Sequence, residues 1–238
     1  MTHRTALTPA RLALVAALAL AACAERDVIL PGPRFDTRAV TSPDGPAVEQ
    51  PATGGAQLSL PGARANSEWT HRAANAAHSS GHVAFGTGTQ RIFSVAIGQA
   101  GDKRHRISAD PIVAGGRIFT LDSRATVTAT SLAGGRAWSV DLTPAGERPN
   151  SVSGGGVAYD AGRVFVTTGY GELVALDVQR GAVLWRQRVG APIGGAPTVS
   201  NGVVYVTDRG ANGFAVRAAD GKLLWQASGI QQPTGEIG

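Results

Sequence analysis

Few residues in this chain combine chemical reactivity with a spacing that could exploit it. The single cysteine, Cys23, directly follows Leu20-Ala21-Ala22 at the end of an apolar run, residues 12–22 (LALVAALALAA). A nucleophilic sulfur can accept a diacylglyceryl group, and small residues before it admit a peptidase, so Cys23 is the candidate lipidation site. Three histidines, His71, His78 and His82, lie close together. Metal binding would need their rings aligned, but His78-Ser79-Ser80-Gly81-His82 has no helical pattern to place two rings on one face. No carboxylate follows at a useful spacing either, so they read as solvated or capping side chains. Gly86-Thr87-Gly88 lacks the third glycine and following helix of a phosphate loop. No Gly-x-Ser-x-Gly elbow occurs. With Cys23 committed to lipid, no catalytic nucleophile remains, and neither cofactor nor metal is expected.

The segments around Cys23 fit an exported protein. Arg4 and Arg11 precede the run, which at 11 residues is far short of the roughly 20 needed to span a bilayer. Residues 1–22 therefore read as a cleaved signal, and Leu20-Ala21-Ala22-Cys23 resembles the bacterial lipobox, with Cys23 becoming the first residue. The three acyl chains usual for such lipoproteins would hold the protein on a membrane. Ala24 occupies the sorting position, where no Asp marks inner-membrane retention, so the periplasmic face of the outer membrane is the expected address. Residues 24–66 contain six of the 13 prolines and little hydrophobic periodicity. Residues 23–66 thus read as a lipidated flexible tether, with an irregular strap on the folded body as the alternative for part of it.

Loss of the signal leaves 20 basic against 17 acidic residues, a net +3. Lys103-Arg104-His105-Arg106 is the one basic cluster, and no aromatic interleaves with it as a nucleic-acid surface would require. It reads as a solvated turn. With no second cysteine, the fold must rest on packing without disulfides.

From about residue 83 the chain becomes short apolar strings separated by glycine, and these strings repeat. Arg117-Ile118-Phe119-Thr120-Leu121, Arg163-Val164-Phe165-Val166 and Val203-Val204-Tyr205-Val206 each precede a second apolar string and then a tryptophan. The aromatic lies 19, 20 and 20 residues before that tryptophan, and Trp138, Trp185 and Trp225 are 47 and 40 apart. Gly134, Gly181 and Gly221 each stand four places before a tryptophan, where a tight hairpin needs positive φ. Consecutive apolar residues imply strands covered on both faces, as in blades stacked around an axis. The predicted fold is all-β: residues 67–238 form a partial propeller of four-stranded antiparallel blades, with the tryptophans packing between blades. Arg91-Ile92-Phe93-Ser94-Val95-Ala96-Ile97-Gly98 is similar to the fourth strand alone, with Phe93 standing 45 residues before Trp138. Three blades and one strand predict an arc with an open face, a fragment of a longer ring.

These repeats resemble the quinoprotein-type propeller repeat. With the lipobox, the Pro-rich tether, Glu68-Trp69-Thr70, the stretch from His71 to His82, and Arg106-Ile107-Ser108-Ala109-Asp110-Pro111, the chain resembles BamB-type lipoproteins. That resemblance implies an eight-bladed ring. It also implies a non-enzymatic scaffold of the outer-membrane β-barrel assembly machine that binds the periplasmic domains of the barrel subunit through loops on one rim. The candidate contact loops are residues 143–152, 190–195 and 228–238, within which no motif singles out an individual partner-binding residue. No small-molecule substrate is implied. A periplasmic quinone (PQQ)-dependent dehydrogenase shares the repeat, but would need a cofactor on the axis, a calcium ion and an acidic base. The adjacent cysteine pair of many such enzymes is impossible here. A propeller bound to another envelope partner, such as cell-wall polymer, is a third reading, against which the aromatic content of 5% argues.

Overall fold

The apolar strings between glycine turns become twelve strands, with no helix among the described residues. In the computed structural model these are residues 59–229; residues 1–58, with Cys23, and residues 230–238 lie outside them. Blade 1 contains β1 (Ile112–Ala114), β2 (Arg117–Leu121), β3 (Thr126–Ser131) and β4 (Arg136–Asp141). Blade 2 contains β5 (Gly155–Asp160), β6 (Arg163–Thr168), β7 (Glu172–Asp177) and β8 (Val183–Arg188). Blade 3 contains β9 (Thr198–Ser200), β10 (Val203–Thr207), β11 (Asn212–Arg217) and β12 (Leu223–Ser228). Each sheet runs in chain order, antiparallel throughout. In blade 2 the second and third strands are almost wholly buried, and the fourth strand of every blade is largely exposed.

One cross-strand row recurs in every blade and explains the aromatic-to-tryptophan spacing. Phe119, Ala129 and Trp138 are register partners, as are Phe165, Ala175 and Trp185, and Tyr205, Ala215 and Trp225. The small alanine leaves room for the flanking rings to meet over it, with centroids 5.8, 5.9 and 6.3 Å apart in tilted geometry. A bulge after each alanine bends the third and fourth strands in all three blades.

The tryptophans join blades as their repetition predicts, and the partner is the hairpin glycine of the next blade. A Cβ on Gly181 would lie 2.6 Å from the Trp138 ring, and one on Gly221 would lie 2.7 Å from Trp185. Both glycines have positive φ, 69° and 76°, so each meets a turn requirement and a packing requirement with one missing side chain. The indole Nε1 of Trp138 donates to the Val178 carbonyl at 3.1 Å, and that of Trp185 to the Ala218 carbonyl at 3.1 Å. Arg117 and Arg163 reach the same two carbonyls from β2 and β6. Trp225 meets no such turn among the described residues and is 49% exposed beside the exposed Tyr205, Leu223 and Leu224.

Residues 91–98 differ in part from the expected lone strand. They form no ladder, because no neighbouring strand offers them one among the described residues. Phe93 nevertheless takes the tryptophan's place: a Cβ on Gly134 would meet its ring at 2.9 Å. Packing against blade 1 thus persists where sheet pairing does not.

A second inter-blade link is more selective. Asp122 Oδ2 accepts the Gln99 N–H at 2.8 Å, while its Oδ1 accepts Arg124 and Thr126 N–H within its own hairpin. Asp208 repeats this, with Oδ2 on the Ala191 N–H at 3.1 Å and Oδ1 on the Asn212 N–H at 2.9 Å. Gln99 and Ala191 stand six residues after Phe93 and Trp185, and Pro144 stands six after Trp138. Proline has no N–H to give, and the hairpin that follows it carries Thr168 where the others carry aspartate. At that joint Leu142 is fully buried, and Arg186 Nη1 bridges its carbonyl and Glu172 at 3.0 and 2.9 Å.

Candidate functional site

Antiparallel alternation sends the second-to-third-strand hairpins and the inter-blade connections to one end of the arc, and the other hairpins to the opposite end. Two of the candidate contact loops, residues 143–152 and 190–195, therefore share one rim with residues 99–108. Of the third loop only Ser228 and Gly229 are described.

These rim loops are tied to one another. The His105 ring bridges Asp102 Oδ1 at 3.1 Å and the Asn150 carbonyl at 2.8 Å, and the Tyr170 hydroxyl donates to the Arg148 carbonyl at 3.2 Å. Arg209 N–H donates to the Pro192 carbonyl at 2.9 Å, and Ile193 is buried beneath. Asp102 accepts backbone N–H from His105 and Arg104 and pairs with the His105 ring, which together hold its carboxyl below the usual range. The turn read from Lys103-Arg104-His105-Arg106 is present, with Lys103, Arg104 and Arg106 exposed. With the exposed Arg148 and Arg209 they give the rim a basic surface, and among the described residues none of the five has an ion pair within 4.0 Å.

Sequence reasoning did not single out the second feature. Each sheet's first strand has a free edge on the axial side, and a strap crosses all three in consecutive residues. Trp69 pairs with Val113 of β1, its N–H donating to the Val113 carbonyl at 2.6 Å and its carbonyl accepting the Val113 N–H at 2.9 Å. The Thr70 carbonyl accepts Tyr159 N–H of β5 at 2.9 Å. His71 Nε2 accepts Val199 N–H of β9 at 3.0 Å. Gly115 N–H donates to Glu68 Oε1 at 3.1 Å, and Arg72 pairs with Asp110 at 3.2 Å. Arg64 and Val83 bridge in parallel where the strap doubles back, and a cavity of about 390 Å³ opens among Arg64, Asn66, Glu68, Asn75 and Ser80.

The three histidines do not converge. His71 is 3% exposed and caps β9, while His78 and His82 are exposed and bond the Arg72 and Pro61 carbonyls. Among the described residues no three His, Cys, Asp or Glu side chains are arranged to hold a metal ion. On the axial side, Trp69, Thr70 and His71 engage the inner strand edges of the three blades.

Residues 123–238 match the family model described as outer membrane protein assembly factor BamB. A BamB of that description from Nitrosomonas eutropha is 27% identical over 124 residues, 52% of this chain and 28% of the relative. The quinohemoprotein alcohol dehydrogenase ADH IIB of Pseudomonas putida is 33% identical over 141 residues, 52% of this chain and 20% of that protein. The matched stretch therefore spans under a third of either relative. The crystal structure of the Comamonas testosteroni quinohemoprotein alcohol dehydrogenase aligns with a TM-score of 0.58 at 24% identity, over 69% of this chain and 28% of that one. This last likeness is one of fold.

Proposed function

Residues 123–238 carry the quinoprotein-like repeat of the BamB-type family, and from that premise we propose a non-enzymatic, lipid-anchored scaffold of outer-membrane β-barrel assembly. Cys23 carries the lipid, the chain from there towards residue 66 acts as the tether except where Arg64 already packs as part of the strap, and the body works at the periplasmic face of the outer membrane. The rim loops bind the periplasmic domains of the barrel subunit. One observation supports this reading beyond the repeat: the strap runs along the inner strand edges of all three blades, on the axial side where a redox propeller clamps its cofactor, while the rim loops stay open to a partner. Rigid blades with variable connections suit docking, because loops can change while the sheets fix their positions.

Pull-down with the full-length protein from detergent-solubilised outer membrane tests the reading. Recovery of the barrel subunit supports the scaffold, and its absence counts against it. The similarity to a quinohemoprotein alcohol dehydrogenase favours a dehydrogenase-like propeller as the second reading. Turnover of an alcohol with added quinone cofactor and a dye acceptor would replace the first reading with the second.

A further inference from the structure

The strap meets blade 3 through two imidazoles with different partners, a backbone N–H for His71 and a hydroxyl for His78. His71 Nε2 accepts from a backbone N–H, so its proton sits on Nδ1, 2.8 Å from Thr70 Oγ1, whose hydroxyl in turn reaches the Ala74 carbonyl at 3.4 Å. His78 Nε2 is 2.9 Å from Thr198 Oγ1, and its Nδ1 is 2.9 Å from the Arg72 carbonyl. A second proton on His71 sets Nε2–H against the Val199 N–H, which is fixed in β9 and has no lone pair to offer, whereas the His78 ring faces a hydroxyl that can rotate between donor and acceptor.

We propose that residues 68–71 are an acid-releasable clip: protonation of His71 breaks its bond to Val199 and frees the strap from the inner edge of blade 3. Burial and then the neighbouring His78 hold the His71 pKa below its usual 6.5, while the half-buried Asp160 of β5 pulls the other way. These are the titratable groups that face the ring. The charged pair Arg72–Asp110 lies further along the strap, exposed on both sides. Near neutrality the ring stays unprotonated and the clip is closed. Below the open-state pKa of about 6.5, the released strap binds a proton that the closed strap does not, so acid favours opening.

Hydrogen exchange of the full chain between pH 7.5 and 5, corrected for intrinsic rates, reads this directly. Exchange in residues 64–84 and at Val199 is expected to accelerate by up to about tenfold per pH unit below about 6.5, then level off at the buried ring's own pKa. His71→Gln, whose amide oxygen still accepts from Val199, should flatten the response, whereas His78→Gln should keep it. Corrected exchange that stays flat in the wild type, or a His71→Gln response equal to the wild type's, overturns the proposal. If His71→Gln is poorly folded, the wild-type His71 ring titration by NMR must have its midpoint at the pH where the exchange change levels off. A mismatch would likewise overturn it.

Discussion

Substituting Gly181 with alanine tests whether blades are joined by a tryptophan seated on a bare glycine. Alanine at a φ of 69° costs about 1 kcal/mol from backbone conformation alone. Its Cβ would also sit 2.6 Å from the Trp138 ring, and displacing a packed ring in this way costs roughly 1–3 kcal/mol. Together Gly181→Ala should destabilise the blade 1–blade 2 junction by about 2–4 kcal/mol. Gly162 supplies the control: its φ is 78° and nothing lies within 4 Å of its missing side chain. Gly162→Ala should therefore cost only the backbone portion, about 1 kcal/mol. Urea unfolding followed by far-UV circular dichroism, fitted as stacked units with nearest-neighbour interfaces, separates the two variants. Equal costs for Gly162→Ala and Gly181→Ala would refute the seating of Trp138.

Other expectations follow from the same contacts. Trp138→Phe removes the Nε1 donor but leaves the Val178 carbonyl with Arg117, so the hydrogen-bond loss in urea unfolding should be no more than about 1 kcal/mol, beside a smaller loss of ring contact. Asp208→Asn should cost about 1–3 kcal/mol at neutral pH by weakening acceptance from Ala191 and Asn212 N–H. Burial raises the Asp208 pKa, but hydrogen bonds from Asn212, Ala191 and Gly210 outweigh it and leave the group below its usual value of 3.8. Its carboxylate therefore stabilises above that value and ceases to as pH falls through the depressed one, so Asp208→Asn should lose less stability below pH 4 than wild type. Cys23→Ser should move the full-length protein from the membrane to the soluble periplasmic fraction of a Gram-negative host, and retention on the membrane would remove the lipid anchor from the proposal.

Legibility in the sequence followed the distance between partners. The aromatic-to-tryptophan spacing and the hairpin glycines could be counted because both lie within one blade, and positive φ at Gly134, Gly181 and Gly221 is a local demand. The second duty of those glycines was hidden, since Trp138 and Gly181 are 43 residues apart and glycine offers no side chain to match. The strap left still less trace: Trp69 and Thr70 bind through backbone atoms, and Val199 lies 128 residues beyond His71. His71 therefore read as a solvated or capping side chain, and its burial was invisible. The irregular path of residues 91–98 had the opposite cause, because their apolar pattern predicts a strand while a ladder also needs a neighbour. The aspartate links were within reach of counting, as Asp122 and Asp208 stand 24 and 18 residues after Gly98 and Gly190. That signal becomes meaningful only once Pro144 shows why Thr168 breaks it.

The alternation of aspartate and threonine makes the units non-interchangeable despite their shared outline. A duplicate of blade 2 placed directly after itself would set the shorter, uncharged Thr168 opposite the Ala191 amide in place of a carboxylate, while blade 3 moved behind blade 1 would present Asp208 to a proline. Shuffling by recombination is thus penalised at the seams, and the order of repeats is heritable as chemistry as well as as connectivity. Lineages that gain or lose a unit should do so by altering both halves of a seam together.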